Sequence, residues 1–453
     1  MKKVFKEVDS LDRRCYESYG LTEDILMENA ALGLKSAIPK DAKTILIVSG
    51  VGNNGADGIT LARILHKQKD IKLYLPIGVK SPMAKLQLDR AKKIGVEIVS
   101  NCDGEFDVVI EAIFGSGLNR ELSPEIKELI QKLNQKDAFK IACDMPTGEF
   151  KSDITVTMGA YKEELFLDSK KDLVGKIRVA NLGVSEDIYQ TSSNTYLLEE
   201  SDLKLPFRDK QDSNKGTYGH LSVVAGKKVG AALLSSEAGF AFGCGLVTIV
   251  ENENYQTPCH IMNSCQIPQK TTALAIGMGL GNMYDDEYLK KFLFDGEYPL
   301  LIDADLFYRD VIKKLLESKK EVVLTPHPKE FSALLEMCGF GKVSVEEIQK
   351  RRFFYAREFS KKYKDAVLVL KGANTLIAQN ETIYINSFGS NILSKGGSGD
   401  VLAGLIASLL AQGYSTIDSA ISGSLAHTLS LKNFSKNNYA LNPRDIIKGV
   451  QTL

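Results

Sequence analysis

The fold is decided by the stretch TILIVSGVGNNGADGITLARILHK, residues 44–67. Its β-branched and aliphatic start, 44–49, predicts a buried strand; its glycine-rich middle, 50–58, predicts a tight loop; and its end, 59–67, predicts a helix. In such a unit the backbone N–H groups of the loop and the positive end of the helix dipole point at one spot. The stretch therefore predicts a parallel α/β sheet with an anion-binding loop.

The same alternation of strand-like and helix-period segments runs along the whole chain of 453 residues, as in proteins built around parallel sheets. A polar stretch without periodicity, 208–216, separates two series of strands. We therefore predict two α/β domains, 1–199 and 200–453. The other predicted strands are 71–75, 96–99, 106–113, 139–144 and 154–157 in the first domain, and 220–225, 246–250, 274–277, 299–302, 321–324 and 366–370 in the second.

Composition excludes several classes of function. The 57 Lys and Arg residues balance the 57 Asp and Glu residues, so the chain lacks the basic field that a nucleic-acid partner needs. The longest apolar run, 401–411, is about half the ~20 residues of a membrane helix, and the N-terminal start has no apolar signal segment. We expect a cytoplasmic homo-oligomer with no membrane partner. Cys259, His260 and Cys265 form the one metal-like cluster, and we expect no metal there.

Two more loops follow predicted strands of the first half, at 111–120 and at 144–148. In parallel α/β sheets the loops at the carboxyl ends of the strands converge on the ligand, so these loops and 50–58 predict one site. Asp144, directly after an apolar strand, is a candidate acid or base, and the alternative is that it caps a turn. The oxygens of Asn53, Asn54 and Asp57 suit sugar hydroxyls or a hard cation.

Four motifs of the first half together resemble the NAD(P)H-hydrate epimerase family: LMENA (26–30), GNNGADG (52–58), FGSG (114–117) and DMPTG (144–148). The resemblance implies a Rossmann-like, three-layer α/β/α domain with Asp144 at the reacting centre and a potassium ion on Asn54, Glu111 and Thr147. The family usually has Gly, Asp and Ser where Ala56, Glu111 and Thr147 stand. The implied substrate-binding residues are Asn53, Asn54, Gly55, Ala56, Asp57, Gly115, Ser116, Gly117, Leu118, Asn119, Arg120, Glu121 and Asp144.

The second half carries the glycine-rich loop KGGSGDVLAG, residues 395–404, which opens a small-residue helix. Glycines let the backbone close on phosphates, and the helix N-terminus supplies N–H groups and positive potential. Asp400, in the first turn, is placed to take the proton of a hydroxyl that attacks a phosphoryl group; the alternative is a helix cap. His327, between two prolines at a strand end, is a candidate contact for an anionic ligand, although a lone histidine is usually structural.

The motifs of this half resemble the ribokinase-like superfamily and, within it, the ADP/ATP-dependent NAD(P)H-hydrate dehydratases. They are KGTYGH (215–220), GAA (230–232), GMGLG (277–281), TPHPKE (325–330), KGANT (371–375) and GGSGD (396–400). The resemblance implies a ribokinase-like α/β/α domain, Mg²⁺ with ADP or ATP, and Asp400 as the catalytic base. The implied hydrate contacts are Ala231, Gly279, Gly281, His327 and Asp400, and the implied nucleotide contacts are Lys371, Gly372, Ala373, Asn374, Thr375 and Gly399.

Together the two halves predict an enzyme that repairs hydrated NADH and NADPH: the first epimerises the R and S hydrates at C6, and the second dehydrates the S hydrate at the expense of a nucleotide. One alternative is a vitamin kinase, which shares the Gly-Gly-x-Gly-Asp loop but has no reason to carry the first domain. Another is that the first half is a non-catalytic dinucleotide-binding or protein-interaction module, against which Asp57 and Asp144 argue. A dinucleotide oxidoreductase is the third, weakened by the missing ribose-binding acid.

Overall fold

A computed structural model describes residues 1–116, 121–251, 256–318 and 320–453. The chain divides into two compact units, Lys3–Ser193 and Asn194–Leu453, with Met1–Lys2 grouped with the second. Both are α/β units with mainly parallel sheets, so the predicted fold class is confirmed. No helix among the described residues is long and apolar enough to span a membrane.

The N-terminal unit has a seven-stranded parallel sheet and a separate parallel pair of strands, β1 and β8. Its strands are β1 (Lys2–Phe5), β2 (Thr44–Ser49), β3 (Asp70–Tyr74), β4 (Glu97–Val99), β5 (Val108–Ala112), β6 (Phe139–Cys143), β7 (Ile154–Met158), β8 (Tyr161–Lys162) and β9 (Lys176–Ala180). Its helices are α1 (Asp9–Tyr19), α2 (Glu23–Ala37), α3 (Asn53–Leu65), α4 (Pro82–Ile94), α5 (Pro124–Gln135) and α6 (Glu186–Tyr189).

Both faces of this sheet are covered, which makes three layers. Along β2, Ile45 and Ile47 pack into the core that contains α2, α3 and α4, whereas Leu46 and Val48 pack into the core that contains α5. This alternation is the period of two expected of a strand. The sheet order is β4-β3-β2-β5-β6-β7-β9. Strands β3 and β4 lie on one side of β2, and the strands from β5 onward lie on the other side. Ligands bind at such a topological switch point, here between β2 and β5, in sheets of this type.

The C-terminal unit has a larger mixed sheet. Its strands are β10 (Thr195–Leu197), β11 (His220–Val224), β12 (Leu246–Val250), β13 (Met262–Ser264), β14 (Ala273–Ile276), β15 (Leu300–Ile302), β16 (Val322–Leu324), β17 (Ala366–Leu370), β18 (Thr375–Gln379) and β19 (Thr382–Asn386). Its helices are α7 (Val229–Ala241), α8 (Asp286–Phe294), α9 (Val311–Glu317), α10 (Pro328–Met337), α11 (Val345–Lys350), α12 (Arg352–Lys362), α13 (Ser398–Ala411), α14 (Thr416–Leu429) and α15 (Pro443–Val450).

Within this unit the strand order is β13-β12-β11-β14-β15-β16-β17-β18-β19-β10. In this spatial order the strands from β13 to β17 are all parallel, and the topological switch point lies between β11 and β14. β18 is antiparallel to both of its neighbours, and it joins β19 through Asn380 and Glu381, which have φ angles of 45° and 65°. Two positive φ angles are what a two-residue hairpin turn requires.

Candidate active sites

The glycine loop after β2 is tighter than predicted. Helix α3 begins at Asn53, six residues before the predicted start at Ile59, so that part of the prediction is wrong. Gly55 and Gly58 lie inside the helix, where close packing excludes a side chain. A Cβ on Gly55 would stand 2.0 Å from the carbonyl oxygen of Gly50, and one on Gly58 would stand 2.4 Å from Ser49 Oγ. These glycines bring the helix N-terminus down onto the strand end.

A cavity of about 640 Å³ opens beside this helix N-terminus in the N-terminal unit. It combines residues from the loops after β2 and β5 with Asp144, Met158 and Lys162, so the predicted convergence of strand-end loops is observed. Five charged side chains face it, and four of them are acidic. The cavity is lined by Val8, Asp9, Asp12, Val51, Gly52, Asn53, Asn54, Asp57, Ile113, Phe114, Gly115, Ser116, Asp144, Met158 and Lys162.

Asp144 is the most constrained of these residues. It follows β6 directly and has a φ angle of 66°, which only a minority of residues other than glycine adopt. Its carboxyl is buried and ion-paired with the buried ammonium of Lys162. Burial by itself would raise the pKa of Asp144, but the charge and hydrogen bond of Lys162, with two backbone N–H groups, hold it below its ordinary value. Asp144 is therefore a carboxylate at neutral pH.

Asp57, on α3, has the opposite electrostatic environment. Burial raises its pKa well above the ordinary value, and the negative charges of Asp144 and Asp12 raise it further. The pKa of Asp12 is also raised by burial, against a hydrogen bond of 2.7 Å from the hydroxyl of Tyr189. The cavity thus contains two carboxyls whose pKa values are shifted in opposite directions, upward at Asp57 and downward at Asp144, the arrangement that separates an acid from a base.

Lys162 and Asp12 belong to this site but were absent from the sequence prediction. Asp12 lies on α1, far along the chain from the glycine loops. Lys162 stands on β8 after the apolar strand β7, with its side chain only 3% exposed. A lysine directly after the largely apolar run ITVTMGAY, 154–161, was the one signal that could have identified it, because a buried lysine needs a partner.

The three predicted potassium ligands lie around one loop. The backbone N–H and hydroxyl of Thr147 donate to the two carboxylate oxygens of Glu111 over 2.8 and 2.7 Å, and Phe114 donates its N–H to the Thr147 hydroxyl. Burial raises the pKa of Glu111 to about 7, although these hydrogen bonds act in the other direction. The side-chain oxygen and nitrogen of Asn54 are buried, and neither has a hydrogen-bond partner within the described structure.

The remaining predicted residues of this site take different positions. Gly115 and Ser116 line the cavity with Asn53, whereas Gly55 and Ala56 are buried beneath the loop and do not. Glu121 is exposed and pairs with Lys127 over 2.7 Å. Gly117, Leu118, Asn119 and Arg120 lie outside the described residues.

In the C-terminal unit, Asp400 lies in the first turn of α13, as predicted. Its backbone carbonyl accepts a hydrogen bond of 2.8 Å from Ser235 on α7. Gly397, immediately before the helix, has a φ angle of 90°. Burial and the negative charge of Asp303, opposed by the positive charge of Lys371, together raise the pKa of Asp400 to about 6. The carboxyl is therefore mostly ionised at neutral pH but easily protonated.

Lys371 links the predicted nucleotide loop to the carboxylates around Asp400. Its ammonium donates to Asp303 over 2.9 Å and lies 3.7 Å from a carboxylate oxygen of Glu330. A Cβ on Gly399 would be 3.7 Å from that ammonium, so the two predicted nucleotide contacts are neighbours. Burial would lower the pKa of Lys371, but the negative charges of Asp303 and Glu330 raise it. Asp303 directly follows the predicted strand 299–302, and no role was predicted for it.

The loop from Lys371 to Asn374 follows β17, and Thr375 begins β18. The N–H of Lys371 donates to the carbonyl of Pro326 over 2.9 Å, which joins this loop to the one that carries His327. Ala373 lies so close to Gly389 that a Cβ on Gly389 would be 2.4 Å from the carbonyl oxygen of Ala373. Gly372 precedes it on the same turn.

His327 caps helix α10. Its Nδ1 accepts the N–H of Glu330 over 3.1 Å, and the carboxylate of Glu330 accepts the N–H of His327 over 2.7 Å. The imidazole is 46% exposed, so the capping role leaves the ring available to a ligand.

The predicted hydrate contacts Ala231, Gly279 and Gly281 lie at the topological switch point between β11 and β14. Gly279 and Gly281 both have φ angles of 61°, and a Cβ on Gly279 would stand 3.1 Å from Ala231 Cβ. The N–H of Lys228 donates to the carbonyl of Gly279 over 3.0 Å. These backbone contacts pack the two loops against each other.

No group of three His, Cys, Asp or Glu side chains in the described part of the chain is arranged to hold a metal ion. Cys259 and Cys265 are exposed free thiols, and the ring of His260 lies against Phe240. The expectation of no metal at this cluster stays a prediction. His427 is buried, with its pKa lowered to about 4 by burial, and it contacts Ser398 at the start of α13.

Two family models match the chain. Residues 23–163 match a model described as the YjeF-related protein N-terminus, and residues 221–452 match one described as NAD(P)H-hydrate dehydratase. Each match lies within one of the two units.

Relatives match over the full length. A Helicobacter pylori protein described as a bifunctional NAD(P)H-hydrate repair enzyme is 43% identical, with 100% of both chains covered. A Dictyoglomus turgidum protein of the same description is 30% identical, with 98% of this chain and 96% of the relative covered. A solved Bacillus subtilis ADP/ATP-dependent NAD(P)H-hydrate dehydratase, co-crystallised with ATP and Mg²⁺, is 26% identical, with 58% of this chain and 98% of that chain covered and a TM-score of 0.48.

Proposed function

The chain belongs to the family of bifunctional NAD(P)H-hydrate repair enzymes, and on that premise we propose how its residues divide the work. The resemblance predicted for each half is confirmed. The N-terminal unit epimerises the R and S hydrates of NADH and NADPH at C6, and the C-terminal unit dehydrates the S hydrate with a nucleotide. The observation that supports the assignment of residues is that Asp144 lines the N-terminal cavity and that Asp400, in the first turn of α13, interacts electrostatically with Lys371.

For the dehydration, Asp400 takes the proton of the C6 hydroxyl as the hydroxyl oxygen attacks the terminal phosphate of ADP or ATP. The bond from the terminal phosphorus to the bridging oxygen breaks, so the products are AMP or ADP and a phosphate ester at C6, from which phosphate leaves more readily than hydroxide would. The lone pair of the ring nitrogen then expels phosphate, and loss of a proton from the ring restores NADH or NADPH. Phosphoryl transfer of this kind needs positioning and neutralised charge. The half-buried carboxyl of Asp400 and the ammonium of Lys371 supply these to the two reactants.

Mg²⁺ accompanies the nucleotide and neutralises charge on its phosphate oxygens. It is usually held by one or two carboxylates together with those oxygens. Asp303 and Glu330, the two carboxylates beside Lys371, have suitable chemistry and would be the residues to hold it. We assign the nucleotide itself to Lys371–Thr375 and Gly399, and the hydrate to Ala231, Gly279, Gly281 and His327.

For the epimerisation, the C6 centre must lose and regain a bond, and each route needs an acid and a base. Asp144 is the ionised carboxylate of the cavity and is the proposed base. Asp57, whose pKa is raised by burial and by the charges of Asp144 and Asp12, is the proposed acid. Ring opening and loss with re-addition of water both satisfy this pairing.

Potassium fits the loop around Glu111. The buried oxygen of Asn54 without a hydrogen-bond partner is the kind of group that a bound cation satisfies, and carboxylate, hydroxyl and amide oxygens are suitable hard donors. When bound, the ion supplies positive charge beside Glu111, Thr147 and Asn54. We expect potassium, but not sodium, to raise the unfolding temperature of the N-terminal unit, and Asn54→Leu to abolish that rise. An equal rise in the variant would contradict the assignment.

We also propose that the protein acts in the cytoplasm as a homo-oligomer. All seven cysteines are free thiols, five of them buried, which suits a reducing compartment. Light scattering on the purified protein measures the oligomeric state, and a monomer at micromolar concentration would contradict this part of the proposal.

The central test is incubation of the protein with Mg²⁺, ADP or ATP and a mixture of R and S NADH hydrate, followed by the absorbance of regenerated NADH. Full recovery from both epimers is expected. Recovery of the S share alone would contradict the epimerase assignment. No recovery with either nucleotide would contradict the dehydratase assignment and favour a vitamin kinase, which would instead accumulate a phosphorylated vitamin.

A further inference from the structure

Lys162 is the one cation among the described residues that line the N-terminal cavity. It lies on β8, where it pairs with Phe5 of β1, and its side chain is 3% exposed. Its ammonium donates a hydrogen bond to Asp144 Oδ1. A charge this deeply buried is costly unless it has a fixed partner, so the ion pair is a built feature of the cavity.

The two carboxylate oxygens of Asp144 have different surroundings. Oδ1 accepts from Lys162, from the N–H of Met158 over 3.3 Å and from the hydroxyl of Thr157 over 3.3 Å. Among the described residues, Oδ2 accepts one hydrogen bond, from the N–H of Ser116 over 3.1 Å. It lies 2.8 Å from where a Cβ of Gly115 would be, so the absence of a side chain there leaves this oxygen accessible.

We propose that Lys162 is a positioning residue of the epimerisation: by holding Oδ1 of Asp144, it leaves Oδ2 as the oxygen that exchanges a proton with the substrate. The inference rests on the proposed function of the N-terminal site. Asp144 binds one proton and releases one in each turnover, so its carboxylate is restored. Without Lys162, Oδ1 keeps only the longer hydrogen bonds from Met158 and Thr157, so the carboxylate is held less firmly about its Cβ–Cγ bond and Oδ2 can leave the productive position.

The test compares Lys162→Met, Lys162→Ala and Lys162→Arg with Lys151→Met, a matched control on an exposed lysine of the same unit. Epimerisation of purified R hydrate is followed in each variant, with kcat and KM determined separately. Dehydration of purified S hydrate by the same molecules serves as the internal control. The single variant Asp144→Asn and the double variant with Lys162→Met complete a cycle that measures whether the two residues act as a unit.

We expect Lys162→Met to lower the kcat of epimerisation by about 10²-fold, the loss associated with misplacing a reacting group by about 1 Å, with little change in KM. Lys162→Arg should keep most of the activity, and added ethylammonium should partly restore Lys162→Ala. The double variant should be no slower than Asp144→Asn alone. Dehydration of the S hydrate and every activity of Lys151→Met should be unchanged.

Wild-type epimerisation in Lys162→Met would overturn the inference. A double variant in which the losses of the two single variants multiply would also overturn it, because the two residues would then act independently. A Lys162→Ala variant that does not respond to ethylammonium, and whose N-terminal unit unfolds at a lower temperature, would assign Lys162 to stability alone. If Lys162→Met does not fold, Lys162→Arg and the amine response of Lys162→Ala decide the question. Absence of epimerisation in the wild-type protein would instead overturn the proposed function.

Discussion

Asp144 and Asp400 are residues of the same type at the carboxyl end of a sheet, yet their surroundings give them different acidities. Asp144 is buried, forms an ion pair with Lys162 and has a lowered pKa. Asp400 is half-buried in the first turn of α13, stands near Asp303, and has a pKa raised to about 6. Motif position places a carboxyl at a site, but the neighbouring charges and the burial set the proton affinity with which it works.

The largest effect should come from exchanging each aspartate for asparagine. General base catalysis contributes about 10²–10⁴-fold, so Asp400→Asn should lose that factor in dehydration and keep epimerisation. Asp144→Asn should show the reverse pattern. Separate assays on purified R and S hydrates measure both activities. Loss of both activities in either variant would break the comparison between independent sites.

A steric change in the N-terminal unit should have the next largest effect. Gly55→Ala places a Cβ 2.0 Å from a backbone oxygen, and overpacking of this kind costs about 1–3 kcal/mol of the free energy of unfolding. Gly52→Ala is the control, since a Cβ there meets nothing within 4 Å. Urea unfolding measures both variants, and equal stabilities would contradict the packing explanation for the early start of α3. Dehydration should survive in Gly55→Ala.

Acidification should separate the two aspartates. Asp400 has its pKa at about 6 and acts as a carboxylate, so protonation should lower kcat of dehydration by about tenfold between pH 7 and pH 5. Asp144, with its lowered pKa, stays ionised over that range, so at saturating potassium, which keeps Glu111 ionised, epimerisation should fall by less than about twofold. Rates are corrected for the loss of hydrate without enzyme. Parallel pH profiles would show that the two environments do not differ as described.

The smallest effect should come from Glu121, which is exposed and pairs with Lys127. Glu121→Gln should change the free energy of unfolding by less than about 0.5 kcal/mol, because exposed ion pairs contribute little. Its predicted contact with the hydrate should appear only as a higher KM of epimerisation. Lys127→Met is the control, because it removes the same ion pair and keeps the carboxylate. An equal KM change in both variants would point to the ion pair instead.

The sequence was sufficient for the main strands and for both aspartates, because apolar runs followed by glycine loops are local signals. It was misleading at the start of α3: Gly55 and Gly58 look like loop residues, and only the closeness of the strand shows why a helix needs them. The hairpin of β18 and β19 was missed, although TLIAQ and TIYIN are strand-like runs separated by Asn380 and Glu381.

Lys162, Asp12 and Asp303 were beyond the reach of motif reading. Each acquires its role from a partner distant in sequence: Lys162 from Asp144, Asp12 from Tyr189, and Asp303 from Lys371. Their pairing is a consequence of tertiary packing, so local periodicity and spacing carry no record of it. The same holds for the divergent proton affinities of Asp57 and Asp144.

The positive φ angle of Asp144 strains the backbone at the residue that the epimerisation needs. Residues held at positive φ store strain of about 1–3 kcal/mol, and glycine at such a position is relieved of it. Directed evolution that rewards heat resistance alone would therefore favour glycine at this position once the buried ammonium of Lys162, whose partner is Asp144, is also replaced by an apolar side chain. A laboratory lineage selected in that way would become a more heat-resistant protein that repairs only one of the two epimers. The loss of epimerisation would be detected only when the other epimer accumulated.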